Sequence, residues 1–394
     1  MIFSHQKLSD LREKDIRRLV DDRSQEQDTL EYKSAMYGNA DDDKKEMLKD
    51  IVSLANHRGG HLIIGIEEDE DGTAKNVAGI EPDNYVERIR GSCLANIDKR
   101  IVGLDIEDIP LENGRVVIVI YVPESINGPH MVTHKGLNQF WKRHGRQKIK
   151  MTIDEIGSAY DRQLHALNRL DRFLFSRKAQ ILENIGSRTY MIIACSPAYL
   201  KAEAVFDIHD KALRGMIADP SSLVAGNYGN IFCGVPYPTI NGLRADQHTP
   251  YEIDNPSFDR YIEVFSNGYI EFGKWMGAVS EQDRYFASEA DTLLIVNFMG
   301  FVEGIYDRYL PSIPIAVNFA MFNCRGVWLA VSRRSQDQNV KWQQQHLEWG
   351  AVYAEDINKE RKMVTKKICD RLWQAFNRDR CSLFDDLGTF RIRQ

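Results

Sequence analysis

The stretch from Asp42 to Ile66 limits the fold of this chain more than any other, because it forces a helix directly into a buried strand. Met47, Leu48, Ile51, Val52, Leu54 and Ala55 recur at helical spacing between about Asp42 and Asn56. His57-Arg58-Gly59-Gly60 follows, and paired glycines permit a left-handed turn with no room wasted. The next segment, Leu62-Ile63-Ile64-Gly65-Ile66, is apolar throughout, as a strand covered on both faces must be. A helix that returns at once into such a strand predicts layers of helix packed on sheet.

Elements on either side extend this unit. Leu8, Leu11, Ile16, Leu19 and Val20 predict a helix over residues 8–21, with Ser9 or Asp10 as its N-cap. Strands are expected around Thr29 to Ser34 and Arg115 to Val122, and a helix at about Asn84 to Asp98. This α/β domain closes near residue 152. From Ile153 to about Asn184, apolar residues recur by threes and fours without clean heptads. That pattern suits one face of an ordinary core; connecting domains or packing on a second subunit is the alternative.

Beyond residue 187 a second α/β unit is expected. Tyr190 to Cys195 reads as a buried strand, and Arg260–Phe265 with Tyr269–Phe272 as a hairpin with a type I′ turn at Asn267-Gly268. A helix from Asp283 to Tyr309 follows, then a second hairpin from Ile315–Asn323 and Gly326–Val331, and a charged helix from Ala354 to Phe376. The predicted class is therefore α/β with a mixed, α+β sheet in three parts: a core domain over 1–152, a helical connector over 153–186, and a C-terminal sensor or regulatory domain over 187–394.

At 394 residues the chain has room for two or three cores. Its six cysteines are scattered with no CxxC pair, which argues against a zinc module and a disulfide framework. No apolar window is long enough for a membrane span, and the first residues do not resemble a signal peptide. A cytoplasmic protein without a membrane partner is expected. With a net charge of −6, contact with nucleic acid must come from a local basic patch.

Three short pieces carry candidate chemistry. Glu31 and Lys33 are two apart and share a strand face, whereas Glu26 joins them only if it lies in the loop before the strand. The acidic run Glu67-Glu68-Asp69-Glu70-Asp71 follows the buried strand directly, where open α/β sheets gather functional groups. Carboxylates converging there suit magnesium or manganese; a solvated acidic face is the plain alternative. The basic run Lys142, Arg143, Arg146, Lys148 and Lys150, beside Phe140 and Trp141, suits a phosphate backbone with unstacked bases. Gly59-Gly60 fits neither phosphate-loop pattern, and the dispersed histidines offer no metal-binding pair.

In order, Glu26-x4-Glu31-Tyr32-Lys33, Ser53-Leu54-Ala55-Asn56-x2-Gly59-Gly60, Leu62-Ile63-Ile64-Gly65-Ile66-Glu67-Glu68 and Gly79-Ile80 resemble the Schlafen core domain. That domain is also described as AlbA-like or divergent AAA-4, and the resemblance covers roughly residues 8–155. It implies a mixed α/β core, often paired as a homodimer or higher homo-oligomer. Nuclease members cut structured RNA, notably transfer RNA, with two glutamates, an aspartate and a divalent metal. Carried over, Glu26 and Glu31 match the glutamates, Lys33 a common lysine, and Glu68 the third acid, with Asp69 as competitor. Glutamate here departs from the usual aspartate. Trp141, Lys142, Arg143, Arg146 and Lys148 would contact the nucleic acid.

The resemblance thus implies a metal-dependent endoribonuclease using Mg2+ or Mn2+, with Glu26, Glu31, Lys33 and Glu68 catalytic; the two-domain architecture suits a role in antiphage defence. The alternative is a non-catalytic DNA-binding transcriptional regulator whose C-terminal domain senses a ligand.

Overall fold

The computed structural model describes residues 3, 8–125, 127–200, 204–223, 231–248, 258–276, 285–310, 313–330 and 340–391. It divides into two compact units, Met1–Ala166 and Leu167–Gln394. In chain order the first contains α1 (Glu13–Asp21), β1 (Leu30–Lys33), α2 (Asp41–Ala55), β2 (Gly60–Ile64), β3 (Ile66–Glu68), β4 (Ala74–Val77) and α3 (Tyr85–Asn96). It continues with β5 (Ile97–Asp98), β6 (Asp105–Pro110), β7 (Val116–Val122), β8 (Met131–Val132), β9 (Gln139–His144) and β10 (Gln147–Lys150). Helix α4 (Ile153–Ile185) begins in this unit and ends in the second.

The first helix starts later than the sequence suggests. Leu8–Asp10 forms a 3-10 turn, and α1 is capped by Asp15, whose carboxylate accepts from the Arg12 backbone N–H at 3.0 Å. The main sheet runs β1-β2-β7-β6: β1 and β2 are parallel, and the other pairs antiparallel. Strands β10-β9-β8-β5 form a second, antiparallel sheet, and β3 pairs with β4.

Alternation along the main sheet explains its two cores. Leu62, Ile64, Ile118 and Ile120 face α2 and α3. Leu30, Tyr32, Ile63, Val117 and Val119 face the other way, against Ile16 and Leu19 of α1. The double-glycine turn is required by close approach: a Cβ on Gly60 would lie 2.1 Å from the Thr29 carbonyl oxygen. That carbonyl accepts the His61 N–H at 2.9 Å, which starts the parallel β1–β2 ladder.

His61 is 3% exposed, between the rings of Phe3 and Tyr121. Burial pushes its imidazole down to about 4. The folded state therefore binds fewer protons than the unfolded chain in acid. Stability is complete above the unfolded value of about 6.5 and is lost as pH falls toward the folded value. Denaturant titrations should show about 3 kcal/mol less stability at pH 4 than at pH 7 from this group, and a smaller drop in His61→Phe.

The second unit adds β11 (Tyr190–Pro197), α5 (Lys211–Ala218), β12 (Tyr237–Pro238), β13 (Gly242–His248), β14 (Phe258–Phe265), β15 (Ile270–Trp275) and β16 (Tyr285–Ala287). After them come α6 (Ser288–Tyr309), β17 (Ile315–Phe322), β18 (Trp328–Ala330), β19 (Leu347–Glu348), β20 (Val352–Ala354) and α7 (Ile357–Gln374). Its large sheet, β12-β13-β14-β15-β11-β17-β19, is antiparallel, and β20 also pairs with β17. Met191, Ile193, Phe298, Phe301 and Leu372 are buried in one core that joins this sheet to α6 and α7.

Several sequence expectations change here. The β14–β15 hairpin forms, but its turn is not type I′, because Asn267 keeps a negative φ. Only Gly268 is left-handed (φ 97°), giving a three-residue loop closed by the Phe265 N–H to Tyr269 carbonyl bond. The expected second hairpin does not form either. Strand β17 is flanked by β11 on one side and by β19 and β20 on the other, so β18 pairs in parallel with β16 instead. Helix α6 begins at Ser288, after that short strand; the expected start at Asp283, and Val331, lie outside the described residues.

Arg177 of α4, 6% exposed, is the charged anchor of this unit. It donates to Glu271 at 2.8 and 3.1 Å and to Glu263 at 2.7 Å, while Tyr269 donates to Glu271 at 2.7 Å. Despite complete burial, the arginine holds the Glu271 carboxyl below its ordinary value. Arg177→Met would leave the buried Glu271 carboxylate without its cation, while Glu263 keeps Arg244 at 3.1 Å; the loss, about 3–5 kcal/mol, can be measured by urea unfolding. All six cysteines are buried free thiols; burial pushes Cys93 and Cys233 up to about 12 and Cys381 to about 11. Among the described residues no helix is long and apolar enough to cross a membrane.

Candidate functional site

The site is built at the start of β1, where three backbone segments meet. Glu26 lies in the loop before the strand; its N–H donates to the Gly72 carbonyl at 2.8 Å, tying it to the β3–β4 loop. Its side chain turns inward, and one carboxylate oxygen accepts the Tyr32 backbone N–H at 2.8 Å. The other accepts Arg146 Nε at 3.3 Å. Strand geometry had required Glu26 to sit off the regular strand, and it does.

Glu31 and Lys33 share the β1 face that looks toward the β9–β10 hairpin. Glu31, 6% exposed, takes Lys33 on one oxygen and Arg143 on the other. Arg143 is 1% exposed and also donates to the Gln27 carbonyl at 3.2 Å. Glu31 is thus neutralised from two sides.

Glu68, at the end of β3, lies near enough to the Glu26 carboxylate for the two negative charges to interact. Lost hydration, then the negative charge of Glu26, push the Glu68 carboxyl above its ordinary value; Arg146 and Lys33 pull it back in part. Two carboxylates held side by side repel each other and form a place that favours added positive charge.

Asp69, the competing third acid, is placed elsewhere. Its carboxylate accepts the N–H groups of Asp71 and Thr73 at 3.0 and 2.9 Å and shapes the turn, so it does not join Glu26 and Glu68. The basic run is also largely spoken for. Lys142 pairs with Glu155, Lys148 with Glu46 and with the buried Asp50, and Arg143 with Glu31. Of the cations expected to contact nucleic acid, Arg143 is buried, Lys142 and Lys148 are paired within the unit, and Arg146 reaches Glu26. Trp141 keeps a cationic surround, with Lys49 4.8 Å and Lys150 5.7 Å from its ring centre. Arg146 remains 42% exposed.

Two supporting residues were not picked out as site residues from the sequence. Gly72 (φ 75°) lies so close to Arg146 that a Cβ there would fall 2.3 Å from the guanidinium; only its place after the acidic run signals this. Asn56 donates to the carbonyls of His130 and Trp141 at 2.9 Å each and accepts the His130 N–H at 2.7 Å, fixing β9 against α2. Its signal was its place in the Ser53-Leu54-Ala55-Asn56 motif.

Among the described residues no three His, Cys, Asp or Glu side chains converge as a metal shell. A hard cation such as magnesium needs less: it is commonly held by one or two carboxylates, with waters and a substrate phosphate completing the shell. The Glu26–Glu68 pair meets that requirement by its oxygen donors and by the proximity of its two negative charges.

A mixed main sheet with helices on both faces, a second antiparallel sheet and an acid pair beside a basic hairpin define an α+β core domain. Residues 26–152 match the model of the Schlafen, AlbA_2 family, so the N-terminal unit carries a Schlafen/AlbA-like core domain. Domains of this kind are associated with proteins that act on nucleic acids. No curated protein matches the chain.

Among solved structures, the chain is similar to the DIP2311 protein from Corynebacterium diphtheriae, with 18% identity and a TM-score of 0.26 over 34% of this chain and 25% of that one. It is also similar to the N-terminal domain of an ATP-dependent DNA helicase RecG-related protein from Nitrosomonas europaea, with 21% identity and a TM-score of 0.26 over 32% of this chain and 86% of that one. The match thus spans only a quarter of the Corynebacterium diphtheriae protein's length.

Carbon-13 titration of the glutamate carboxyls tests the acid pair with two opposite shifts. The Glu68 carboxyl should titrate above the ordinary value; Glu26→Gln should bring it down while Glu107 and Glu303, raised by other causes, stay where they are. Gly72→Val, by displacing Arg146, should drive Glu68 further up.

Proposed function

We propose that the N-terminal unit is a divalent-metal-dependent endonuclease acting on structured RNA such as transfer RNA. The observation that carries this reading is the meeting of Glu26, from the loop before β1, and Glu68, from the end of β3, with Arg146 and Lys33 beside them. Glu26 and Glu68 would hold the magnesium or manganese ion, which when bound supplies Lewis-acid stabilisation of phosphate charge and an activated water.

The surrounding residues take distinct roles. Lys33 and Arg146, both partly exposed, flank the pair and would balance charge on the phosphate. Glu31 acts through others: it positions Lys33 and Arg143, and through Arg143 the loop that carries Glu26. Trp141 with Lys49 and Lys150 offers a cationic ring on which an unpaired base can stack.

A second reading, a domain that binds nucleic acid without cutting it, is favoured by one observation. Arg143, Lys33 and Arg146 already neutralise Glu31 and Glu26. Incubating the protein with total transfer RNA and with duplex DNA, plus manganese or EDTA, separates the two. The nuclease predicts manganese-dependent cleavage of RNA that falls about a hundredfold in Lys33→Ala and at least as far in Glu68→Gln. Cleavage that survives EDTA, or that Glu68→Gln leaves unchanged, rejects it. Salt-sensitive binding with no cleavage supports the binding-only domain.

A further inference from the structure

In the second unit the two faces of the large sheet are filled differently. Toward α6, strands β11 and β17 present Met191, Ile193, Val317 and Met321 within one continuous core. On the opposite face, Ala194 lies across from Asn318 and Ile192 across from Ala320. Small side chains at these central positions leave the helix α4 side underfilled, and its packing breaks into three separate clusters. Among them lies a cavity of about 210 Å3, bordered by Leu174 and Ile181 of α4 and by Ile192, Ala194, Asn318 and Ala320 of the sheet.

Two features give this cavity a chemistry. Asn318 Nδ2 and Trp349 Nε1, on side chains that border it, are buried and have no hydrogen-bond partner among the described residues. A buried donor left unpaired is costly, so both are suited to an acceptor from elsewhere. The charges bordering the cavity, by contrast, are committed. Arg177 is locked onto Glu263 and Glu271, and Lys178 pairs with Glu348 at 2.5 Å where both are partly exposed. No free charge remains to hold an ion, and the other walls are apolar.

We propose that this cavity binds a small uncharged aromatic compound of one or two rings bearing a carbonyl-type acceptor. The size fits: an apolar cavity of about 150 Å3 admits benzene, so the larger space admits a ring with a polar substituent. The walls take the ring, and Asn318 or Trp349 donates to the acceptor.

The test uses the full chain with acetophenone and toluene as probes, followed by saturation-transfer NMR and by quenching of tryptophan fluorescence. Wild type should bind both saturably, acetophenone about fivefold more tightly, as one net hydrogen bond implies. Asn318→Ala or Trp349→Phe should erase that preference while toluene still binds. Ala320→Leu should fill the space and abolish binding of both probes with an unchanged or higher melting temperature; Ala194→Val serves if that variant does not fold. Absence of saturable binding to wild type, or undiminished binding in the filled variant, overturns the site. A preference kept in both donor variants overturns its acceptor chemistry.

Discussion

The pair between Glu31 and Arg143 is the interaction on which the N-terminal unit turns. The two residues lie 112 positions apart in sequence, one in the main sheet and one in the second sheet. Both are almost wholly withdrawn from water, and neither charge is tolerable there without the other. Their contact therefore sets where the β9–β10 hairpin sits against β1. Its consequences spread outward. Arg143 also holds the Gln27 carbonyl, which fixes the loop carrying Glu26. The second oxygen of Glu31 captures Lys33, and the hairpin delivers Arg146 to Glu26.

From this anchor the electrostatics change with depth. Inside, carboxylate and guanidinium cancel. Toward the surface, Glu26 and Glu68 bring two negative charges together, and Arg146 and Lys33 offset them only in part. The same neighbourhood thus contains a rigid, self-neutralised foundation and a rim open to exchange with a cation. A catalytic site benefits from that division, because rigid support lets the exposed groups hold their geometry while their partners change.

Much of this was legible in the residues. The two-residue spacing placed Glu31 and Lys33 on one face, and the odd spacing put Glu26 in the loop; both are pure strand geometry. The helix, double glycine and buried strand around residues 41–64 appear as expected, because local pattern and tertiary packing agree there. The acidic run alone does not separate Glu68 from Asp69; the turn that Asp69 forms with Asp71 and Thr73 does. The internal pairing of Arg143, Lys142 and Lys148 was hidden for a related reason. A basic run looks alike whether its partners are solvent, phosphate, or carboxylates a hundred residues away. Strand pairing failed where competition for an edge decided it: β17 has neighbours on both sides, so proximity in sequence did not win β18 a place beside it.

The six buried thiols have a consequence for which metals this protein meets on favourable terms. Soft ions such as copper(I) or zinc bind most strongly to thiolate sulfur, and here every cysteine is shielded in the interior. What the surface offers a cation is oxygen and, in places, imidazole. A soft metal therefore finds no accessible thiolate on this chain, and the acid pair is left to the hard ions that its glutamates favour.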